Sequence, residues 1–230
     1  MEKKLNVLIW NENVHETRGD VEVLNMYPMG IHHAIANALG EEVHIDFATL
    51  YDPDHGIHDD VLEKTDVLIW WSHIANHEVR DEIVEKVYER IHQGMGLIVL
   101  HSAHKSKIFT KLTGTSSQMK VRTDNERERL WVVCPHHPIV NGIGECIELE
   151  EEEMYGEFFD IPKPDELIFI SWFEGGEVVR SGCCYQRGKG KIFYFRPGHE
   201  TNPTFYHPDI KKVLKNAVQW ASQGNEYLKI

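Results

Sequence analysis

Cysteine is scarce in this sequence. The four cysteines, Cys134, Cys146, Cys183 and Cys184, show neither the paired spacing of a zinc site nor the framework of a disulfide-rich protein. Cys183 and Cys184 are adjacent, so they alternate between the faces of a strand and are interpreted as small apolar residues. We therefore expect a reduced, cytoplasmic setting.

Basic residues and long apolar runs are also in short supply. The sequence has 24 Lys and Arg against 37 Asp and Glu, a formal net charge of −13. Phosphate backbones and anionic headgroups are bound through Lys and Arg, so neither nucleic acid nor a membrane is an expected partner. The first apolar stretch stops at Asn11, which makes it too short for a signal peptide or a membrane span.

Several motifs of known chemistry are missing. No GxGxxG follows the first predicted strand and no GxxxxGK[ST] occurs, so no nucleotide cofactor is predicted. No HExxH is present, and Ser102 lacks the flanking glycines of a GxSxG nucleophile elbow.

The order of apolar runs predicts an α/β fold in one domain, residues 1–230. Strands are predicted at 5–10, 43–50, 67–71, 97–100 and 191–195, and helices near 31–39, 78–93 and 208–223. Alternating strands and helices favour a mostly parallel sheet with right-handed crossovers. Shorter alternating runs in 115–190 predict an antiparallel extension with long loops on the same domain.

Polar side chains follow four of these strands at the point where each ends. They are Asn11, Glu12 and His15, then His73, then His101, Ser102 and His104, and finally His199 and Glu200. Open α/β sheets place their sites at the carboxyl ends of parallel strands, so these imidazoles are expected to face one crevice. A blander interpretation is a protein generally rich in histidine, which has 15 of them.

Three of these histidines come from different strand ends and are predicted metal ligands: His15, His104 and His199. A catalytic zinc keeps three protein ligands and one open position, so a divalent metal, zinc first, is expected. Mixed imidazole and carboxylate ligation also suits manganese and iron. The alternative is that these imidazoles act as acid/base groups or as hydrogen-bond donors to a substrate.

Carboxylates and aromatic residues complete the predicted site. Catalytic roles are predicted for Glu12, Glu157, His101 and Ser102, with a glutamate as general base. Substrate contacts are predicted for Asn11, Trp71, His73, Tyr155 and Glu200, with Trp71 as a stacking face for a sugar ring. Glu153, Tyr155 and Glu157 would share one strand face, whereas Glu150 to Glu152 are interpreted as a solvated edge.

Taken together, NVLIWNENVHE, VLIWWSHIANHEV, GLIVLHSAHKSKIFTKLTGT, EEEMYGEFF and FYFRPGHETNPTFYHPDIKKVLKNAVQWA resemble the trehalose-utilisation (ThuA-like) family over essentially the whole chain. This resemblance implies a class I glutamine amidotransferase-like fold, a flavodoxin-like three-layer sandwich. Where that superfamily has a catalytic cysteine, the sequence has His101 and Ser102, so glutamine hydrolysis is not expected.

The resemblance also implies a role in disaccharide catabolism, with a sugar first oxidised to a keto form by a partner dehydrogenase. The leading hypothesis is an enzyme acting on trehalose or a keto derivative of it with divalent-metal assistance, as a lyase, isomerase or hydrolase. The alternative is a non-catalytic sugar- or metal-binding protein on the same scaffold, and a third hypothesis is a hydrolase with Ser102 as nucleophile. A homo-oligomer is expected.

Overall fold

The computed structural model describes residues 4–224. The ends of the expected domain, residues 1–3 and 225–230, lie outside this range. The strands are β1 (Asn6–Asn11), β2 (His44–Thr49), β3 (Val67–Trp71), β4 (Gly96–Leu100), β5 (Lys120–Val132), β6 (Cys146–Gly156), β7 (Glu166–Phe173), β8 (Val178–Arg187) and β9 (Gly190–Phe195). The helices are α1 (Val14–Arg18), α2 (Val21–Met26), α3 (Ile31–Leu39), α4 (Asp59–Lys64), α5 (Asp81–Gln93), α6 (Lys107–Thr113) and α7 (Pro208–Ser222).

The described strands form one nine-stranded sheet in the order β2-β1-β3-β4-β9-β8-β7-β5-β6. The pairs from β2 through β9 are parallel, and those from β9 through β6 are antiparallel. The order reverses direction at β1, which is the switch point of a flavodoxin-like fold. The predicted flavodoxin-like three-layer fold with an antiparallel extension is therefore confirmed.

Helices cover both faces of the parallel half, and each face has its own apolar core. Strand β1 shows the alternation, because Val7 and Ile9 pack with α3 and α7 while Leu8 and Trp10 pack with α4, α5 and α6. The predicted buried stripe of α7 is confirmed, from Ile210 to Ala221. Gly96 permits close packing there, since a Cβ on it would lie 2.6 Å from the Ala221 carbonyl oxygen.

The glutamate run is the main local difference from the sequence prediction. It lies in β6, the outer strand of the sheet, where Glu150 and Glu151 are exposed as predicted for a solvated edge, whereas Glu152 is fully buried. A buried carboxylate needs a charged partner, and Arg196 provides it. Within residues 4–224, no helix is long and apolar enough to cross a bilayer.

Candidate functional site

Six side chains meet at the carboxyl edge of the parallel strands, and we call them the His–Glu cluster. Its members are His15, His73, His101, Glu153, His199 and Glu200. Five of them follow β1, β3, β4 and β9, as predicted, and Glu153 comes from the antiparallel strand β6. Two overlapping groups have donor atoms within 4.8 Å of one another: His73, His101, Glu153 and His199, and His15, His73 and Glu200.

Protein contacts orient the imidazoles of the first group. His101 Nδ1 donates to the Arg196 carbonyl oxygen at 3.0 Å, which leaves Nε2 unprotonated in the neutral ring. That Nε2 lies 3.3 Å from Glu153 Oε2. His199 Nδ1 contacts Thr201 Oγ1 at 2.9 Å, and His199 Nε2 lies 4.0 Å from the same Glu153 oxygen. Ligand imidazoles in metalloproteins are held through their second nitrogen as His101 is, whereas His199 Nδ1 accepts the Thr201 N–H at 3.3 Å.

His101 occupies a strained turn directly after β4. Its φ of 51° lies in the left-handed region that residues with a Cβ rarely adopt. Such strain persists where the surrounding structure fixes the residue, and here the ring is fully buried and held by the Arg196 carbonyl. The turn thus aims the imidazole of His101 into the site.

The second group is built around Glu200. His73 Nδ1 donates to Glu200 Oε1 at 2.8 Å, and His15 Nε2 lies 3.5 Å from the same oxygen. On its other side, His15 Nδ1 lies 3.3 Å from Asp20 Oδ2. The side chains of His15 and His73 are 13% and 22% exposed, so this is the side on which the cluster meets solvent.

The carboxylates of the cluster stay ionised although they are buried. Burial alone would raise the pKa of Glu200, but the hydrogen bond from His73 and the nearby imidazoles lower it to about 2. Burial likewise opposes ionisation of Glu153, and its contacts with His101 and His199 outweigh it, so its pKa is lowered. Burial opposes protonation of His73, but the hydrogen bond to Glu200 and the charges of the nearby carboxylates together outweigh it, so the pKa of His73 is raised.

A buried ion network lies behind the cluster. Arg196 is fully buried, pairs with the buried carboxylates of Glu128 and Glu152, and donates from Nη1 to the Glu153 carbonyl oxygen at 2.9 Å. Glu152 Oε1 in turn accepts from the Gly198 N–H at 3.3 Å, one residue before His199. Arg196 is therefore linked to three cluster residues. Its carbonyl accepts from His101, its guanidinium donates to the Glu153 carbonyl, and its partner Glu152 binds the backbone N–H next to His199.

Two predicted residues of the first loop support the site from behind. Both oxygens of Glu12 accept backbone N–H bonds, from Ile74 at 2.9 Å and Ala75 at 3.0 Å, so Glu12 holds the loop that carries His73. Asn11 donates to Glu16 Oε1 at 2.8 Å and lies outside both donor groups. These contacts differ from the predicted base and substrate contact, because the carboxylate and the amide are already used within the loop.

His104 and Trp71 also lie away from the cluster. His104 Nδ1 donates to the Ser117 carbonyl at 2.7 Å, and burial lowers its pKa to about 3, so the ring is neutral. It packs against Tyr155 and belongs to neither donor group, unlike the ligand predicted. Trp71 is fully buried and its Nε1 donates to the Gly198 carbonyl at 2.9 Å, so it leaves no open face for a sugar ring.

Of the remaining predicted residues, Tyr155 and Ser102 lie beside the cluster and Glu157 lies away from it. Tyr155 lies beside the cluster, where its hydroxyl bonds to Ser102 and lies 3.3 Å from His101 Nε2. Glu157 lies beyond the end of β6, pairs with Arg180 at 2.8 Å, accepts from the Phe159 N–H at 2.7 Å and belongs to neither donor group.

Glu153 and the Arg196 network are the parts that the sequence prediction missed as site residues. One signal was present, since buriable residues interrupt the glutamate run after Glu153. The partners of Arg196 carry no such signal, because they come from two strands far from it in sequence.

Comparisons with known proteins agree with this fold. The sequence profile of the trehalose-utilisation (ThuA) family matches residues 6–221. No curated protein is recognisably similar in sequence. Among solved structures, a ThuA-like protein from Parabacteroides merdae superposes with a TM-score of 0.70 at 15% identity, covering 96% of this chain and 91% of that one.

More distant structures share the fold as well. The cytoplasmic protein STM3548 from Salmonella typhimurium has a TM-score of 0.61 at 14% identity, covering 94% of this chain and 99% of its own. PurLQS from Thermotoga maritima has a TM-score of 0.57 at 14% identity, covering 95% and 99%. At these identities the likeness establishes the architecture alone.

Proposed function

Since the chain belongs to the trehalose-utilisation family, we propose that it is an enzyme of carbohydrate catabolism that acts on trehalose or a keto derivative of it at the His–Glu cluster. The observation that carries this proposal is the convergence of three imidazoles and one carboxylate, His73, His101, His199 and Glu153, with donor atoms within 4.8 Å. A buried constellation of this kind serves chemistry better than stability, because its desolvation is costly.

The donor set fits a divalent metal. Neutral imidazole and carboxylate are the ligands that zinc accepts, and manganese and iron accept them too. Among the described residues, Glu153 Oε2 is buried and has no hydrogen-bond partner. A cation would satisfy that oxygen, and zinc is the first choice.

The protein groups suit proton removal next to a carbonyl. A metal at the cluster would polarise the keto oxygen of the sugar, which acidifies the hydrogen on the adjacent carbon. An ionised carboxylate within reach then takes that proton, and the electron pair left behind supports elimination or isomerisation. With a single ion held by His101, Glu153 and His199, Glu200 is the carboxylate left free on the more exposed side of the cluster.

The substrate and its source follow from the same chemistry. Trehalose has no keto group, so an oxidising enzyme, a sugar dehydrogenase, would act first. The free cysteines are compatible with a cytoplasmic location, and a homo-oligomer remains part of the proposal.

The direct test is turnover of keto-trehalose by protein purified without a polyhistidine tag. We expect His101→Ala and His199→Ala each to lower kcat/KM by at least a factor of about 100, the scale of a lost catalytic group. His136→Ala is the matched control, because His136 is exposed and outside both donor groups. Unchanged turnover in both cluster variants would refute the proposal, and sugar bound for hours without product would identify a binding protein instead.

A further inference from the structure

His73 belongs to both donor groups of the His–Glu cluster, and assigning it to the group of His15 and Glu200 leaves two sets of the same composition, each with two histidines and one glutamate. We propose that the site binds two divalent cations side by side. One set is His101, Glu153 and His199, and the other is His15, His73 and Glu200. This inference rests on the proposed metal dependence and adds a second ion to it.

The second set already has the spacing of a coordination shell. Its three donor atoms are separated by 2.8 Å from His73 Nδ1 to Glu200 Oε1, 3.2 Å from His15 Nε2 to His73 Nδ1, and 3.5 Å from His15 Nε2 to Glu200 Oε1. Ligands at about 2.1 Å from a tetrahedral ion lie roughly 3.4 Å apart. A cation here would take the place of the proton through which His73 Nδ1 now donates a hydrogen bond to Glu200.

The first set is adjacent to the second. Its glutamate oxygen lies 3.3 Å from His101 Nε2 and 4.0 Å from His199 Nε2. Glu200 Oε1 lies only 3.6 Å from His199 Nε2, so this oxygen borders both sets. Paired metal ions in enzymes lie about 3.5–4 Å apart, which suits two sets that meet at one carboxylate.

The burial and charge of Glu153 and Glu200 favour the binding of more than one cation. Glu153 and Glu200 are each 4% exposed, and each has one oxygen without a hydrogen-bond partner among the described residues. Arg196 already pairs with Glu128 and Glu152, so it does not neutralise this pair. Two buried carboxylates are costly to desolvate, and two cations would offset that cost.

The surroundings of the second set support a metal role. The Asp20 carboxylate lies 3.3 Å from His15 Nδ1, and contacts of this kind orient imidazole ligands. Asp20 is itself fixed as the N-cap of α2, where it accepts the Glu22 N–H. Two adjacent ions would bind a sugar through two neighbouring oxygens, so the substrate class is an α-hydroxyketone rather than an isolated alcohol.

The test counts ions. Full-length protein is stripped with chelator, loaded with excess zinc, freed of unbound metal by gel filtration and measured by elemental analysis. We expect two ions per wild-type chain, one in His15→Ala, one in His101→Ala, and two in the control His136→Ala. Circular dichroism verifies folding, and Glu200→Gln provides a second variant of the second set.

The outcomes separate the two proposals. One ion per wild-type chain would overturn the second site and leave the proposed metal dependence standing, whereas no ion would overturn both. Two ions in His15→Ala and in Glu200→Gln would refute the assignment of ligands. Manganese loading gives an independent readout, since two ions this close yield a spin-coupled electron paramagnetic resonance spectrum and isolated ions do not.

Discussion

The buried network of Arg196, Glu128 and Glu152 predicts how stability depends on pH. One guanidinium faces two fully buried carboxylates, so the network carries one excess negative charge when both are ionised. Burial raises the pKa of Glu128 from 4.5 to about 7, and the charge of Arg196 only partly offsets this effect. The perturbation that isolates this charge is Glu128→Gln, which keeps an oxygen to accept from Arg196.

The direction follows from the proton count. Between pH 4.5 and about 7 the native carboxyl holds a proton that the unfolded chain has lost, so the free energy of unfolding falls as pH rises. Each unit of pKa is worth about 1.4 kcal/mol, so the wild type loses about 3 kcal/mol from this group across the window. Glu128→Gln lacks this loss, so between pH 5 and pH 8 its free energy of unfolding gains about 2.5 kcal/mol on that of the wild type.

Urea denaturation at pH 5, 6, 7 and 8 gives the free energy of unfolding of the wild type and of Glu128→Gln. Subtracting one from the other removes the contribution of the other titrating groups, which both proteins share. Glu150→Gln is the matched control, because Glu150 lies exposed in β6 and its removal leaves the difference flat. The reasoning fails if Glu128→Gln also gives a flat difference, or if the wild type gains on the variant as the pH rises.

Three further predictions concern residues around the site. Glu12→Ala removes both acceptors of the backbone N–H groups that follow His73, and we expect a loss of about 1–3 kcal/mol in urea denaturation together with weaker zinc binding by competition with a chelator. Gly96→Ala is expected to destabilise by about 1–3 kcal/mol because of its close approach to α7, whereas Gly144→Ala, with open space at its Cβ, stays near the wild type. Burial lowers the pKa of His104 to about 3, so below pH 6.5 the unfolded chain binds a proton that the native ring does not, and the free energy of unfolding falls. His104→Phe should therefore lose less stability than the wild type between pH 7 and pH 5 in the same assay.

The strands and the edge that carries the site could be predicted from the sequence, because both depend on local patterns. Apolar runs that end abruptly in His73, His101 and His199 identify strand ends, and parallel strands present those ends at one edge. The family resemblance supplied the layer architecture, and the profile match confirmed the family.

The positions of the individual site residues could not be predicted from the sequence in the same way. His104 lies only three residues after His101, but the short 3₁₀ turn over His101–Lys105 places its ring in the core, where the Ser117 carbonyl accepts a hydrogen bond from it. Glu153 reaches the site through antiparallel pairing, which depends on register between distant strands. The two backbone N–H groups that occupy the Glu12 carboxylate come from the loop after β3, so the sequence around Glu12 does not indicate them.

Both the parallel and the antiparallel half of the sheet contribute residues to the site, and this affects how the protein folds. Glu153 arrives on an antiparallel strand, whereas the histidines arrive on the parallel strands, and Arg196 at the end of β9 joins the two. A chain that had formed only its parallel half would present the imidazoles without their carboxylate and would leave Arg196 without Glu128 and Glu152. Contacts between segments so distant in sequence slow folding, and the site is complete only when both halves of the sheet have formed.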